Sequence, residues 1–208
     1  MRKYIVLFPA LLFGCTLPLL AVNYWQDRAD MRERANKLFN DGNHAEALEV
    51  FRSLVLNEAN HDKEIASDLR RAAECFNQLS RLSEFDEFFE TAVATHSDNW
   101  RLLNEGAALF QEDVVESWGF VIAGKFERGQ HRGGGQWADA SDRDRVRSLQ
   151  LLVQAAALVE ADATATPHER SEVFMNLAEA IGEVRYGEAW KLQTLTDLTT
   201  LPDVEIGD

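Results

Sequence analysis

Apolar side chains recur at helical spacing over most of the chain. Ala45, Leu48, Phe51 and Leu54 return every three residues, and Ile65, Leu69, Ala72, Phe76 and Leu79 return at four, three, four and three. Phe85, Phe88, Phe89 and Ala92 form a third stripe. Val146, Leu149, Leu152, Ala156 and Val159 form a fourth, and Val173, Phe174, Leu177 and Ile181 a fifth. This spacing keeps one face of a helix apolar and predicts that the face is buried against a neighbour. Turn and cap signals divide the stripes into helices over 24–40, 44–58, 62–80, 84–96, 99–112, 142–160, 167–182 and 185–200. Asp41-Gly42-Asn43 separates the first two, and Ser97-Asp98-Asn99 opens the fifth. Thr166-Pro167-His168-Glu169 has a Thr cap, Pro at the first helical position and Glu three residues after the cap, a strong start signal. Ser141 with Asp142 and Asp144 is a weaker start, its acids near the positive end of the helix dipole. Pro202 stops the last helix.

Short turns between successive helices make antiparallel pairs. The third pair joins 99–112 to 142–160 across an insertion, and the fourth joins 167–182 to 185–200. In the first pair, Ala35, Leu38, Gly42, Ala47, Phe51 and Leu54 fall at the spacings of the tetratricopeptide repeat, which this pair resembles. Two positions depart from that family: His44 stands where an aromatic is usual and Ala59 where Pro is usual. In the second pair, Phe85, Phe88 and Ala92 echo His44, Ala47 and Phe51 at an offset of 41 residues, longer than the family period of about 34. The resemblance covers residues 30–160 and is close in the first repeat. It implies an all-α fold, an α-solenoid of about four helix pairs whose concave groove holds a peptide or a partner domain. A compact helical bundle is the alternative.

Residues 114–140 break every helical pattern. Six of the chain's 12 glycines lie between Gly119 and Gly135. Trp118 to Ile122 has the composition of a short strand, and the Gly-rich stretch that of a turn or hairpin tip. Lys125, Arg128 and Arg132 against Glu127 make the segment locally basic. Gly124-Lys125 lacks the Ser or Thr that a phosphate-binding loop places next, since Phe126 stands there. Two readings of the insertion stand. A cationic, aromatic loop built on Lys125, Arg128, His131, Arg132 and Trp137 can hold a carboxylate or an acidic partner segment through Arg forks. Alternatively its Arg residues pair with the acidic body, and Trp118 and Trp137 pack on the helices.

The run from Gly124 to Trp137, the helix start from Asp144 to Leu151, and the stretch from Trp190 to Asp203 resemble the helical N-terminal region of large bacterial α2-macroglobulin-like proteins. The resemblance implies a structural segment that precedes a series of β-sandwich domains. The family's protease-trapping chemistry does not carry over, because the chain has no Cys-x-Glu-Gln thioester motif and no long all-β portion.

The ends of the chain differ from its body. Arg2 and Lys3 are followed by an uncharged run from Tyr4 to Val22, the pattern of an export signal. Three readings of residues 1–22 remain open. One is a cleaved signal ending at Leu19-Leu20-Ala21. Another is lipidation at Cys15 after Leu12-Phe13-Gly14. The third is an uncleaved anchor in which residues 4–22 contact the membrane. All three place the body outside the cytoplasm, periplasmic or at the cell surface. Residues 23–203 then form the helical-repeat domain, and 204–208 a tail or the beginning of a linker.

Composition narrows the chemistry. The 208 residues carry 21 Lys and Arg against 35 Asp and Glu, a formal charge of −14. Without residues 1–22 two cations go, and the charge of the exported body becomes −16. A chain this acidic is unsuited to nucleic acid, whose phosphates need clustered cations. Cys75 is the only cysteine of the body, so no internal disulfide forms, and its apolar neighbours Ala72, Ala73 and Phe76 predict a buried thiol. The histidines, His44, His61, His96, His131 and His168, share no metal-ligand spacing; His44 and His96 at helix ends read as surface or capping residues. No Gly-x-Ser-x-Gly elbow is present. Glu46/Glu49, Glu87/Glu90 and the alternating Asp142-Arg143-Asp144-Arg145 read as solvated helix faces. The sequence therefore points to a non-catalytic interaction or scaffolding module without cofactor or metal, with an enzyme whose site is assembled from distant residues as a further alternative.

Overall fold

The computed structural model describes residues 16–60, 63–112, 114–130, 133–182 and 197–207. Within them lie seven α-helices: α1 (Thr16–Asn40), α2 (His44–Val55), α3 (Ile65–Gln78), α4 (Phe85–Thr95), α5 (Trp100–Gln111), α6 (Ser141–Ala161) and α7 (Pro167–Gly182). Four strands accompany them: β1 (Trp118–Ile122), β2 (Lys125–Arg128), β3 (Gln136–Asp139) and β4 (Glu205–Ile206). The body is thus mostly helical, with a four-stranded sheet larger than the single hairpin expected in the insertion. Most of the expected helix 185–200 and the lipidation candidate Cys15 lie outside the described residues. Residues 197–200 are described and are not helical; there the Leu198 carbonyl accepts from Gln150 Nε2 at 2.9 Å. Among the described residues no helix is long and apolar enough to cross a membrane.

The helices follow from their caps and stripes. After α1 the chain turns at Gly42, and the Asn43 N–H reaches back to Leu38 O at 2.8 Å. The Asn99 side chain caps α5 by accepting from the Arg101 and Leu102 N–H groups. At α7 the expected capping box forms: Glu169 N donates to Thr166 Oγ1 at 3.2 Å, and Thr166 N donates to Glu169 Oε2 at 2.8 Å. Ala35 and Ala47 are fully buried where α1 meets α2, and small side chains there let the backbones approach. The stripes of α3, α4 and α6 are buried nearly as spaced, whereas in α2 Ala45 is exposed and Ala47 is buried in its place. The fifth stripe is only half core: Val173 is buried, but Phe174 and Ile181 are 42% and 54% exposed.

One apolar cluster runs through all seven helices' neighbourhood, and α1 packs on α2, α2 on α3, α3 on α5, α5 on α6 and α6 on α7. Its centre is aromatic. Phe85 stacks on Phe89 with ring centroids 5.4 Å apart, and Phe110 meets Phe89 edge-on at 5.2 Å. Cys75 is buried in this cluster, as expected. Burial and the neighbouring Glu74 charge push its thiol up to about 11 from 9.0, so it stays protonated at neutral pH. A thiol reagent at pH 8 should react with it only as fast as the chain unfolds, a rate that urea accelerates. The same shift makes stability decline as pH rises from 9.0 to about 11, because only the unfolded thiol ionises in that window.

His96, expected at the surface, is fully buried, and its Nε2 donates to Val55 O at 2.8 Å, tying the end of α4 to the end of α2. It is the far end of α2, shortened to Val55, that offers this carbonyl.

Candidate partner-binding surfaces

The insertion folds as an antiparallel sheet in the order β2-β1-β3-β4. Ala123 and Gly124 have φ of 50° and 82°. Two successive residues with positive φ make the tight two-residue turn whose twist suits a hairpin, so the expected strand at Trp118–Ile122 and the expected hairpin tip are both present. The fourth strand comes from the tail. Ala138 pairs with Ile206 and Asp139 with Glu205, and Gly207 N donates to Trp137 O at 2.9 Å. The segment expected as tail or linker is therefore an edge strand of the insertion's own sheet.

Side chains alternate across a sheet, and the register assigns them. Gly119, Arg128 and Ala138 share one face and are buried. Phe120 and Trp137 are directly opposed on the other face, where Trp118 meets Phe120 edge-on with centroids 6.4 Å apart. Trp137 is 47% exposed. It lies over Gly207, where an added Cβ would come within 2.6 Å of the ring.

Arg128 is not a surface residue. It is 3% exposed and makes a bidentate pair with Asp144, Nη1 to Oδ2 at 2.6 Å and Nη2 to Oδ1 at 2.8 Å. Its Nε donates to Asp86 at 2.8 Å and its Nη1 also to Glu116 O at 2.7 Å. The guanidinium lies 5.4 Å from the Phe110 ring centroid and 5.6 Å from that of Phe126. Burial works against its charge, but Asp144 and Asp86 outweigh it and hold the group above its usual range. A side chain with this many fixed partners is unavailable to an incoming carboxylate. The same pair corrects the reading of Asp142-Arg143-Asp144-Arg145 as a solvated face, since Asp144 is buried. Of the other candidates, Lys125 is exposed on β2, while His131 and Arg132 lie outside the described residues. The structure thus brings none of Lys125, Arg128 and Trp137 into one binding site.

A second surface was not visible in the stripes. Polar side chains link every other helix. Arg32 on α1 binds Asp68 and Glu64 beside α3, both at 2.8 Å, and Arg28 donates to Asn60 at 2.7 Å. Arg70 on α3 binds Glu105 on α5 and Glu112 just past its end. Burial, which Arg70 only partly offsets, pushes Glu105 up. Asn176 on α7 donates to Asn104 on α5 at 3.1 Å, and Arg101 on α5 binds Glu169 on α7 at 2.7 Å. A signal existed in the sequence: Asp68 stands one residue before Leu69 and four before Ala72, inside a core stripe, as Asp144 stands four before Ser148 and seven before Leu151. An acid on a buried face requires a cation or several donors.

Glu169 joins the capping box to this ladder. The Thr166 N–H and then Arg101 hold its carboxylate well below the usual range, at about 2. A lowered folded value means stability present above 4.5 and lost as pH falls toward about 2. Glu169→Gln should flatten the acid limb of the unfolding midpoint in that window; an unchanged limb would remove the carboxylate from the account.

Among the described residues, no group of three or more His, Cys, Asp or Glu is placed to hold a metal ion. No family model, no curated protein and no solved structure matches this chain.

Proposed function

We propose that this chain is a non-catalytic, exported helical-repeat module for protein–protein interaction, its helix pairs stacked as a tetratricopeptide-like α-solenoid. The observation that carries the reading is the polar ladder from α1 through α3 and α5 to α7. In a solenoid of stacked helix pairs, alternate helices lie side by side and present one continuous face, and ion pairs that join alternate helices support that arrangement here. That face carries exposed carboxylates, Glu64 and Glu112 with side chains 67% and 57% exposed, and a body of −16 favours a basic partner. Photo-crosslinking in cells tests it. A crosslinking residue at Glu64 or Glu112 of the full chain should yield one discrete adduct with another protein, and the same residue at Glu46, on α2, should not. Equal labelling at all three positions, or none, would overturn the reading. Mass spectrometry of the mature N-terminus tests export, and separates cleavage from lipidation at Cys15 and from retention as an anchor.

A second reading makes the chain the N-terminal structural portion of an α2-macroglobulin-like envelope protein of the protease-inhibitor family, separate or truncated. It is favoured by the meeting of the segments that carry the resemblance. The Gly-rich run joins the start of α6 through Arg128 and Asp144, and Gln150 on α6 binds Leu198. Genomic sequence beyond the codon for Asp208 tests it: an in-frame or adjacent β-sandwich coding region is expected, and an isolated gene would overturn it.

A further inference from the structure

The outer edge of β3 is held by an unusually weak occupant. β4 is two residues long and pairs only through Ala138 and Asp139, with one further bond from Gly207 to Trp137 O. Ile206 is 52% exposed and Glu205 is exposed as well, so little apolar area is removed from water when the segment seats. No apolar side chain of the four strands belongs to the helical core cluster. What fixes the segment is backbone pairing and the ring of Trp137 lying over Gly207. Segments held by so little burial open locally at small free-energy cost, and an opened β3 edge offers unpaired N–H and C=O groups to another strand.

We propose that the β3 edge is a strand-accepting site for an extended partner segment, and that residues 204–207 are its built-in competitor. The seated segment shows the chemistry the site takes. The residue beneath Trp137 is best a glycine, since a Cβ there would come within 2.6 Å of the ring and displace it. The residue before it, opposite Ala138, is an exposed β-branched side chain in Ile206. The partner is therefore a protein with an extended Ile-Gly or Val-Gly segment. This site deepens the interaction reading above and rests on it.

The test uses the full chain with Gly207→Val, which drives a side chain into Trp137 and unseats the tail, and Glu205→Pro, which removes the ladder donor opposite Asp139 instead. The probe is a synthetic peptide of residues 201–208, and a second copy of it carries Val in place of the glycine. The readout is the fluorine resonance of 5-fluorotryptophan at position 137, identified with Trp137→Phe. Both variants should shift that resonance, and the glycine peptide should move it back. Its apparent affinity for the variants should be about tenfold or more above that for wild type, because the tail no longer competes. An unshifted resonance in both variants, equal response to the two peptides, or equal affinity for wild type and variants would overturn the proposal. So would a concentration-dependent wild-type dimer dissolved by Gly207→Val, since the tail would then seat on a second copy. An edge that accepts the peptide in a chain without any cellular crosslink refutes the interaction reading alone, and a crosslinked chain with an inert edge refutes this site alone.

Discussion

Replacing Arg128 with alanine should cost about 3–5 kcal/mol of folding stability, because it leaves the buried carboxylate of Asp144 without its cation. Asp144 is 4% exposed and its carboxylate accepts both terminal nitrogens of Arg128. Asp86, the third partner, has a side chain 33% exposed and can turn to water. The cost therefore falls mainly on Asp144, and the double variant Arg128→Met/Asp144→Leu should recover most of it. Urea unfolding followed by far-UV circular dichroism measures both. A single variant as stable as wild type would mean that water already reaches the pair. The comparison also separates structure from recognition: if Arg128 only joins the sheet to α4 and α6, the double variant keeps every partner crosslink that wild type makes.

Phe89→Ala should be as damaging, at about 3–5 kcal/mol. The ring is 1% exposed, stacks on Phe85 and meets Phe110 edge-on. An added Cβ on Gly106 would lie 2.9 Å from Phe89 Cε2, so α5 passes directly against this ring. Its neighbours are backbone and other rings, which collapse poorly into a void, and that places the cost high in the usual range. Phe174→Ala is the control. At 42% exposed it should change the midpoint by about 0.5 kcal/mol or less. A similar loss for both would mean that the face of α7 is covered in solution.

How much of this was legible in the sequence depended on the range of the interaction involved. The capping box at Thr166 and Glu169 spans four residues, and it formed as written. Trp118–Ile122 was legible as a strand because its apolar residues sit between turn formers. The sheet around it was not. β2 and β3 are short and carry Lys, Glu, Arg, Gln and Asp, and β4 pairs with a strand 66 residues earlier in the chain. Pairing at that distance leaves no local period. Pairing of Arg128 with the acidic body was one of two open readings, and the sequence could not choose between them for a related reason. A cation in a Gly-rich stretch looks solvent-facing until its counter-charge is located, and Asp144, set among alternating signs, looks equally solvated. Both stood on buried positions of their own elements, and each explains the other. The ladder from Arg32 to Glu169 was missed likewise, since each rung joins residues on different helices.

The sheet also sets an order of events during synthesis. β1, β2 and β3 are neighbours in the chain and can pair as soon as they emerge, since closing such short loops takes well under a millisecond. β4 follows only after all of α6 and α7 has been made. For the seconds this takes at about 5–20 residues per second, the β3 edge beside Trp137 stands open on a half-made chain. A nascent chain with an open edge is a site for chaperone capture and for mispairing with its neighbours on the polysome. The glycines and charges around that edge, Gly133 to Gly135 and Asp139, are residues that disfavour adventitious strands.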